Sequence, residues 1–163
     1  MKVIILNGPM GVGKTTVGNL IADKYKGTAY IDGDWCMDLH PFVGNSETRN
    51  LAVDNILHMI GNYRDCSSCN MVILSWLIDL DDVMNKLVKG IHDLDMEPLV
   101  FTLVCSREQL IKQWKEDKTC PWRTEEWLSV SLYSLESFKA KDNVIDTTCL
   151  NSKEVADLIG KSL

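Results

Sequence analysis

Residues 3–6 read Val-Ile-Ile-Leu and residues 8–15 read Gly-Pro-Met-Gly-Val-Gly-Lys-Thr. No other stretch of the chain restricts its fold as much. The glycines let the backbone turn tightly and point successive N–H groups inward, which makes a nest for an anion. Gly8, Gly13, Lys14 and Thr15 satisfy every required position of the pattern G-x-x-x-x-G-K-[ST]. An apolar strand precedes the loop, and a helix follows over residues 14–24 with Val17, Leu20 and Ile21 on one face. The start of that helix adds positive dipole to the nest. The expected ligand is a nucleoside triphosphate, ATP, with Gly8, Met10, Gly11, Val12, Gly13, Lys14, Thr15 and Thr16 around its phosphates. Lys14 would reach the β- and γ-phosphates, and the Thr15 hydroxyl would coordinate Mg2+. A dinucleotide fingerprint fits less well, because it has no use for the Lys-Thr pair.

Short apolar runs recur along the chain at residues 3–6, 29–31, 71–76, 99–104 and 143–145. They are continuous rather than alternating, which suits strands covered on both faces. Helical patterns separate them, over residues 46–63 and 80–92 and from Ser106 toward Glu116. Two more follow, one capped by Thr124 and one opened by Asn151 or Ser152. Alternating strands and helices predict an α/β three-layer sandwich, a five-stranded mainly parallel sheet with helices on both faces. The 163 residues, 45% of them hydrophobic and 25% charged, predict one domain over residues 1–163. The charged stretch at about 117–124, with its Cys-Pro-Trp, is the predicted short lid.

The formal net charge is -6. Lysines and arginines are scattered and the stretch over residues 78–97 is acid-rich, so no basic stripe argues for a nucleic-acid partner. The N-terminal apolar run is too short for a membrane span or a secretory leader. The expectation is a cytoplasmic protein with no membrane partner, acting as a monomer or homodimer. Its six cysteines are expected to be free thiols. Cys66 and Cys69 have the spacing of half a zinc site or a redox pair. With no second Cys/His pair near them, they read as two thiols in a helix-to-strand connection.

Most proteins with such a loop carry an Asp at the end of an apolar strand, where it helps hold Mg2+. The apolar run at residues 71–76 ends in Ser75 and Trp76 instead, and no guanine-reading N-K-x-D follows. A GTPase switch or motor is disfavoured. Carboxylates stand elsewhere, in Ile31-Asp32-Gly33-Asp34. In a parallel sheet the carboxyl end of that strand opens into the ligand crevice beside the phosphate loop. One acid would orient metal-bound water and the other would take the proton of an attacking hydroxyl. The competing reading is an Asx turn held by local hydrogen bonds.

With these features the chain resembles the small P-loop kinases of the shikimate, gluconate and chloramphenicol phosphotransferase type, within the nucleoside-monophosphate kinase fold. The loop at residues 8–15, the Asp32–Asp34 stretch, the Asp-free run at 71–76 and Val144-Ile145-Asp146-Thr147-Thr148 with Glu154-Val155 carry the resemblance. Phe101 to Val104 with Ser106-Arg107-Glu108 also resembles the tunicamycin-resistance proteins of that group. The resemblance implies an ATP-dependent phosphotransferase acting on a hydroxyl of a small molecule such as a sugar, cyclitol or antibiotic. It implies that Asp32 and Thr15 hold Mg2+, that Asp34 is the general base on the substrate side, and that Arg49 faces the acceptor. Relatives place arginines on and after the helix before the lid, where this chain has Gln113 and Asp117. Lys115, Lys118 or Arg123 would substitute, and Arg123 is the preferred catalytic cation. Trp35 and Trp76 follow strand ends and would wall the acceptor pocket. His40 and His58 receive no role. Two alternatives stay open: a nucleoside or nucleotide kinase, and a nucleotide-binding module with weak or lost catalysis.

Overall fold

A computed structural model describes residues 1–120 and 123–163. The chain runs β1 (Lys2–Asn7), α1 (Lys14–Lys24), β2 (Thr28–Asp32), a 3-10 turn (Gly33–Met37), α2 (Ser46–Arg64) and β3 (Met71–Ser75). It continues through α3 (Asp81–His92), β4 (Pro98–Val104), α4 (Arg107–Glu116), α5 (Glu125–Lys139), β5 (Val144–Asp146) and α6 (Ser152–Gly160). The five strands form one sheet in the order β2-β3-β1-β4-β5, and every pairing is parallel. The expected three-layer α/β sandwich is the architecture found, with the sheet wholly rather than mainly parallel among the described residues.

The continuous apolar runs divide their residues between two cores. Successive strand residues point to opposite faces. Ile4, Leu6 and Ile73 meet residues of α1, α4, α5 and α6 on one side of the sheet. Val3, Ile5, Val72 and Leu74 meet residues of α2 and α3 on the other. Five consecutive buried positions of β1, Val3 through Asn7, therefore reflect a central strand with no solvent face. The helix starts follow the capping signals. Asn45 and Asn151 form capping boxes with Thr48 and Glu154, while Ser106 and Thr124 accept from backbone amides of α4 and α5.

Register decides where the carboxyl ends lie. Ser75 pairs with Leu6 on one side and with Asp32 on the other. The phosphate loop and the end of β2 are thus two inter-strand spacings apart, roughly 10 Å. The 3-10 turn over Gly33–Met37 contains the Asx turn that the sequence offers at Asp32. It follows from Asp32 itself, whose Oδ1 accepts from the Asp34 N–H at 3.1 Å. The connection holding Cys66 and Cys69 closes as a turn, with the Cys69 N–H donating to Cys66 O at 2.9 Å. All six cysteines are free, and no helix among the described residues is long and apolar enough to cross a membrane. The predicted lid at 117–124 is the connection between α4 and α5; its Pro121 and Trp122 lie outside the described residues.

Candidate active site

The loop between β1 and α1 is held from four sides. Asn7, fully buried at the end of β1, accepts from the Gly8 N–H at 2.8 Å and from the Ile78 N–H at 2.9 Å through the same Oδ1. Its amide donates back to Ile78 O at 3.0 Å. One side chain thereby ties the start of the loop to the segment after β3. Ser131 of α5 donates its hydroxyl proton to Met10 O at 2.6 Å. Trp114 and Leu110 of α4 cover Gly11, where a Cβ would come within 2.9 Å of the indole. Lys14 turns its ammonium back across the loop and donates to Gly8 O and Pro9 O, each at 2.9 Å. Gly8 has φ +138, and a Cβ there would meet Leu103 O at 2.3 Å. Only glycine fits both that left-handed backbone and that distance.

Burial pulls the Lys14 ammonium down to about 8, against the raising pull of Asp34 and then Asp32; Arg123 adds to the lowering. The Asp32 carboxyl is raised above its ordinary value, first by burial and then by the neighbouring Asp34. Asp32 is half-buried and Asp34 exposed. The Asx-turn reading and the ligand reading of Asp32 are compatible. The turn uses one carboxylate oxygen, and a carboxylate has two. Thr15 and Thr16 are exposed at the first turn of α1, and Val12 is buried beneath the loop. Ser75 stands at the strand end where an acid is usual. Its hydroxyl donates to Lys14 O at 3.4 Å and so supports that first turn.

A cavity of about 620 Å3 begins at Thr15 and Asp32. Its farther wall is Trp35 with Asn55, His58 and Met59 of α2. The sequence gives His58 no role and does not single out Asn55 or Met59. Their i, i+3, i+4 spacing puts them on one helix face, which was the available signal. Asn55 is held by a hydrogen bond to Cys36 O at 2.8 Å. Trp35 is 79% exposed.

Two expected acceptor-side residues do not line this cavity. Trp76 is 3% exposed and belongs to the α2/α3 core, so it does not wall the cavity. The cause is Gly33, whose missing side chain leaves room for the indole: a Cβ there would lie 2.2 Å from Trp76. Arg49 is half-exposed on the first turn of α2 and does not line the cavity. Trp76 thus acts from below, as the floor on which the Asp32–Asp34 turn rests. A Gly33→Ala change is expected to displace that turn and cost about 1–3 kcal/mol by overpacking. Chemical denaturation of the variant checks this, and unchanged stability contradicts the contact.

Arg123 is near the loop, its guanidinium carbon 5.2 Å from the centre of the Trp114 ring. Gln113 takes a thiol contact from Cys105 at 3.9 Å. Among the described residues no group of three or more His, Cys, Asp or Glu gathers to hold a metal.

No protein-family profile matches the sequence, and no curated protein does. Solved structures do match. The tunicamycin resistance protein of Deinococcus radiodurans superposes with a TM-score of 0.69 at 21% identity, over 99% of this chain and 94% of that one. A gluconokinase from Sinorhizobium meliloti gives 0.68 at 16% identity, over 99% and 98% of the two chains. A shikimate kinase from Bacteroides thetaiotaomicron gives 0.64 at 16% identity, over 99% and 96%. The chain therefore has the fold of these P-loop kinases.

Proposed function

We propose that this P-loop kinase fold transfers the γ-phosphate of ATP to a hydroxyl of a small molecule. The observation that carries the reading is a glycine phosphate loop bearing Lys14, followed at once by Thr15, which lines a cavity of small-molecule size together with Asp32. The solved kinases of the same fold support it, through gluconate and shikimate kinases among them.

The residues suit the two groups the reaction needs. The loop backbone and the Lys14 ammonium form a cradle of positive donors for phosphate oxygens. The Lys14 ammonium donates to Gly8 O and Pro9 O, which keeps it against the loop backbone. Thr15 and Asp32 offer two hard oxygen donors on one cavity edge. Mg2+ is typically held by one or two protein oxygens plus phosphates, so a pair is enough. When bound, ATP supplies the phosphoryl group and Mg2+ neutralises charge on it. The protein's part is positioning and electrostatics. Lys14 would exchange the Gly8 and Pro9 carbonyls for phosphate oxygens. Asp34 would take the proton of the acceptor hydroxyl as its oxygen bonds to phosphorus and the bond to the ADP oxygen breaks. Arg123 would balance charge on the moving group from the connection 117–124, acting as a lid. The cavity wall of Trp35, Asn55, His58 and Met59 would receive the acceptor.

A screen for acceptor-dependent ADP release over sugars, cyclitols, nucleosides and antibiotics tests the reading. Release with one class and none without acceptor supports it. ATP binding with no transfer to any acceptor would favour a nucleotide-binding module instead.

The lowered Lys14 pKa gives a pH prediction for ADP binding measured without metal. Phosphate would raise that pKa, so binding favours protonated Lys14. Affinity is expected to be level below pH about 8 and to fall by up to about tenfold per pH unit above it. Calorimetry in two buffers of different ionisation heat should show proton uptake there. A dissociation constant independent of pH from 7 to 9.5 contradicts it.

A further inference from the structure

The end of α4 and the residues after it form a compact support around one arginine. Trp114, 8% exposed, packs against Gly11 of the phosphate loop. The same indole carries the Arg123 guanidinium at 5.2 Å. Asp117 follows α4 directly, with its N–H still bonded to Gln113 O. Its Oδ2 accepts from Arg123 Nη1 at 2.5 Å, and its Oδ1 accepts from the Thr119 N–H and hydroxyl at 2.8 and 2.6 Å. The Arg123 N–H donates to Cys120 O at 3.1 Å. Arg123 and Asp117 side chains are 17% and 27% exposed, much less than an ordinary surface pair. Both carboxylate oxygens are engaged, so Asp117 is itself fixed when it engages Arg123.

We infer that Asp117 and Trp114 are positioning residues that hold Arg123 at the phosphate loop before nucleotide arrives. The inference rests on reading this loop as a phosphotransfer site. The Trp114 ring lies beside the guanidinium and the Asp117 carboxylate accepts from its Nη1, so two separate contacts restrain Arg123. A long side chain otherwise loses its rotamer freedom at the moment of reaction. The Arg123 charge helps lower the Lys14 ammonium, and Asp117, paired with Arg123, offsets part of that charge. Thr119 holds the Asp117 carboxyl below the usual range, with Arg123 adding to it, so the counter-ion stays charged.

The test compares ADP with ADP plus Mg2+ and aluminium fluoride, a mimic of the moving phosphoryl group, by calorimetry on the full chain. Asp117→Ala is expected to weaken the mimic complex by about 10–100-fold while changing ADP affinity by less than about threefold. Asp117→Asn keeps an acceptor oxygen and should recover most of the loss. Trp114→Phe should be mild and Trp114→Leu severe. The double variant Asp117→Ala/Arg123→Ala should be no weaker than Arg123→Ala alone, because Asp117 acts through Arg123. Additive losses overturn the inference. So does tighter mimic binding by Asp117→Ala, which would make the carboxylate a restraint that phosphate must displace. A second readout needs no nucleotide: the Arg123 side-chain resonance, displaced by the Trp114 ring, should move to an exposed-arginine position in Asp117→Ala. A wild-type resonance already at that position overturns the inference. A held Arg123 in a protein that gains nothing from the mimic leaves the positioning intact and sinks the phosphotransfer reading.

Discussion

Replacing Asp34 with Asn is expected to lower turnover by about 10²–10⁴-fold and to leave ATP binding nearly unchanged. The side chains are close in size, so packing is not at issue. The local turn also survives, because its hydrogen bond runs from the Asp34 backbone N–H to Asp32, not from the Asp34 side chain. The change removes a proton acceptor and one negative charge near Lys14. Losing that charge beside a triphosphate would, if anything, strengthen ATP binding slightly. The decisive pattern is a fall in kcat at unchanged ATP affinity, measured with whichever acceptor the screen identifies. Turnover within about threefold of wild type would remove Asp34 from the mechanism, since a positioned general base contributes far more than that.

Lys14→Ala is expected to weaken ATP binding by about 100-fold or more, through the loss of a charge-assisted contact to phosphate in a partly buried site. Stability should move the other way or not at all. In the folded protein the ammonium is held at a pKa of about 8, lowered mainly by burial. A base with a folded pKa below its unfolded one binds fewer protons when folded, so stability rises with pH between the two values. Below pH 8 the charge therefore opposes folding, even with hydrogen bonds to Gly8 O and Pro9 O. Alanine relieves that opposition while giving up those two bonds. A melting temperature at or above wild type, with nucleotide binding lost, is the expected pair of results. Loss of both together would mean that Lys14 is a structural pin of the loop and would undercut its assignment to phosphate.

Much of the site was legible because its residues are neighbours in the chain. Asp32, Gly33 and Asp34 share one turn, and the phosphate loop is a single stretch of backbone whose shape its glycines permit. The acceptor side was harder. Trp76 directly follows β3 and Trp35 lies in the 3-10 turn that follows β2, yet one is core and the other exposed. The difference is set by Gly33, a contact across two strands. Arg49 and His58 lie on the same helix, and the family resemblance pointed to Arg49. Position along α2 relative to β2 brings Asn55, His58 and Met59 to the cavity.

Local information sufficed for the loop, the alternation of strand and helix, and the caps, since dihedral preferences, apolar period and short-range hydrogen bonds all act within a few residues. Strand order, and with it the neighbours of each carboxyl end, came only from how the five strands pair. The tertiary structure also decided that a buried Asn7 braces the loop, that Ser75 supports α1 where an acid is usual, and that Trp114 joins Arg123 to Gly11. Those contacts link residues from nine to 103 positions apart, a range at which no local preference acts and only packing of the finished layers selects the partner.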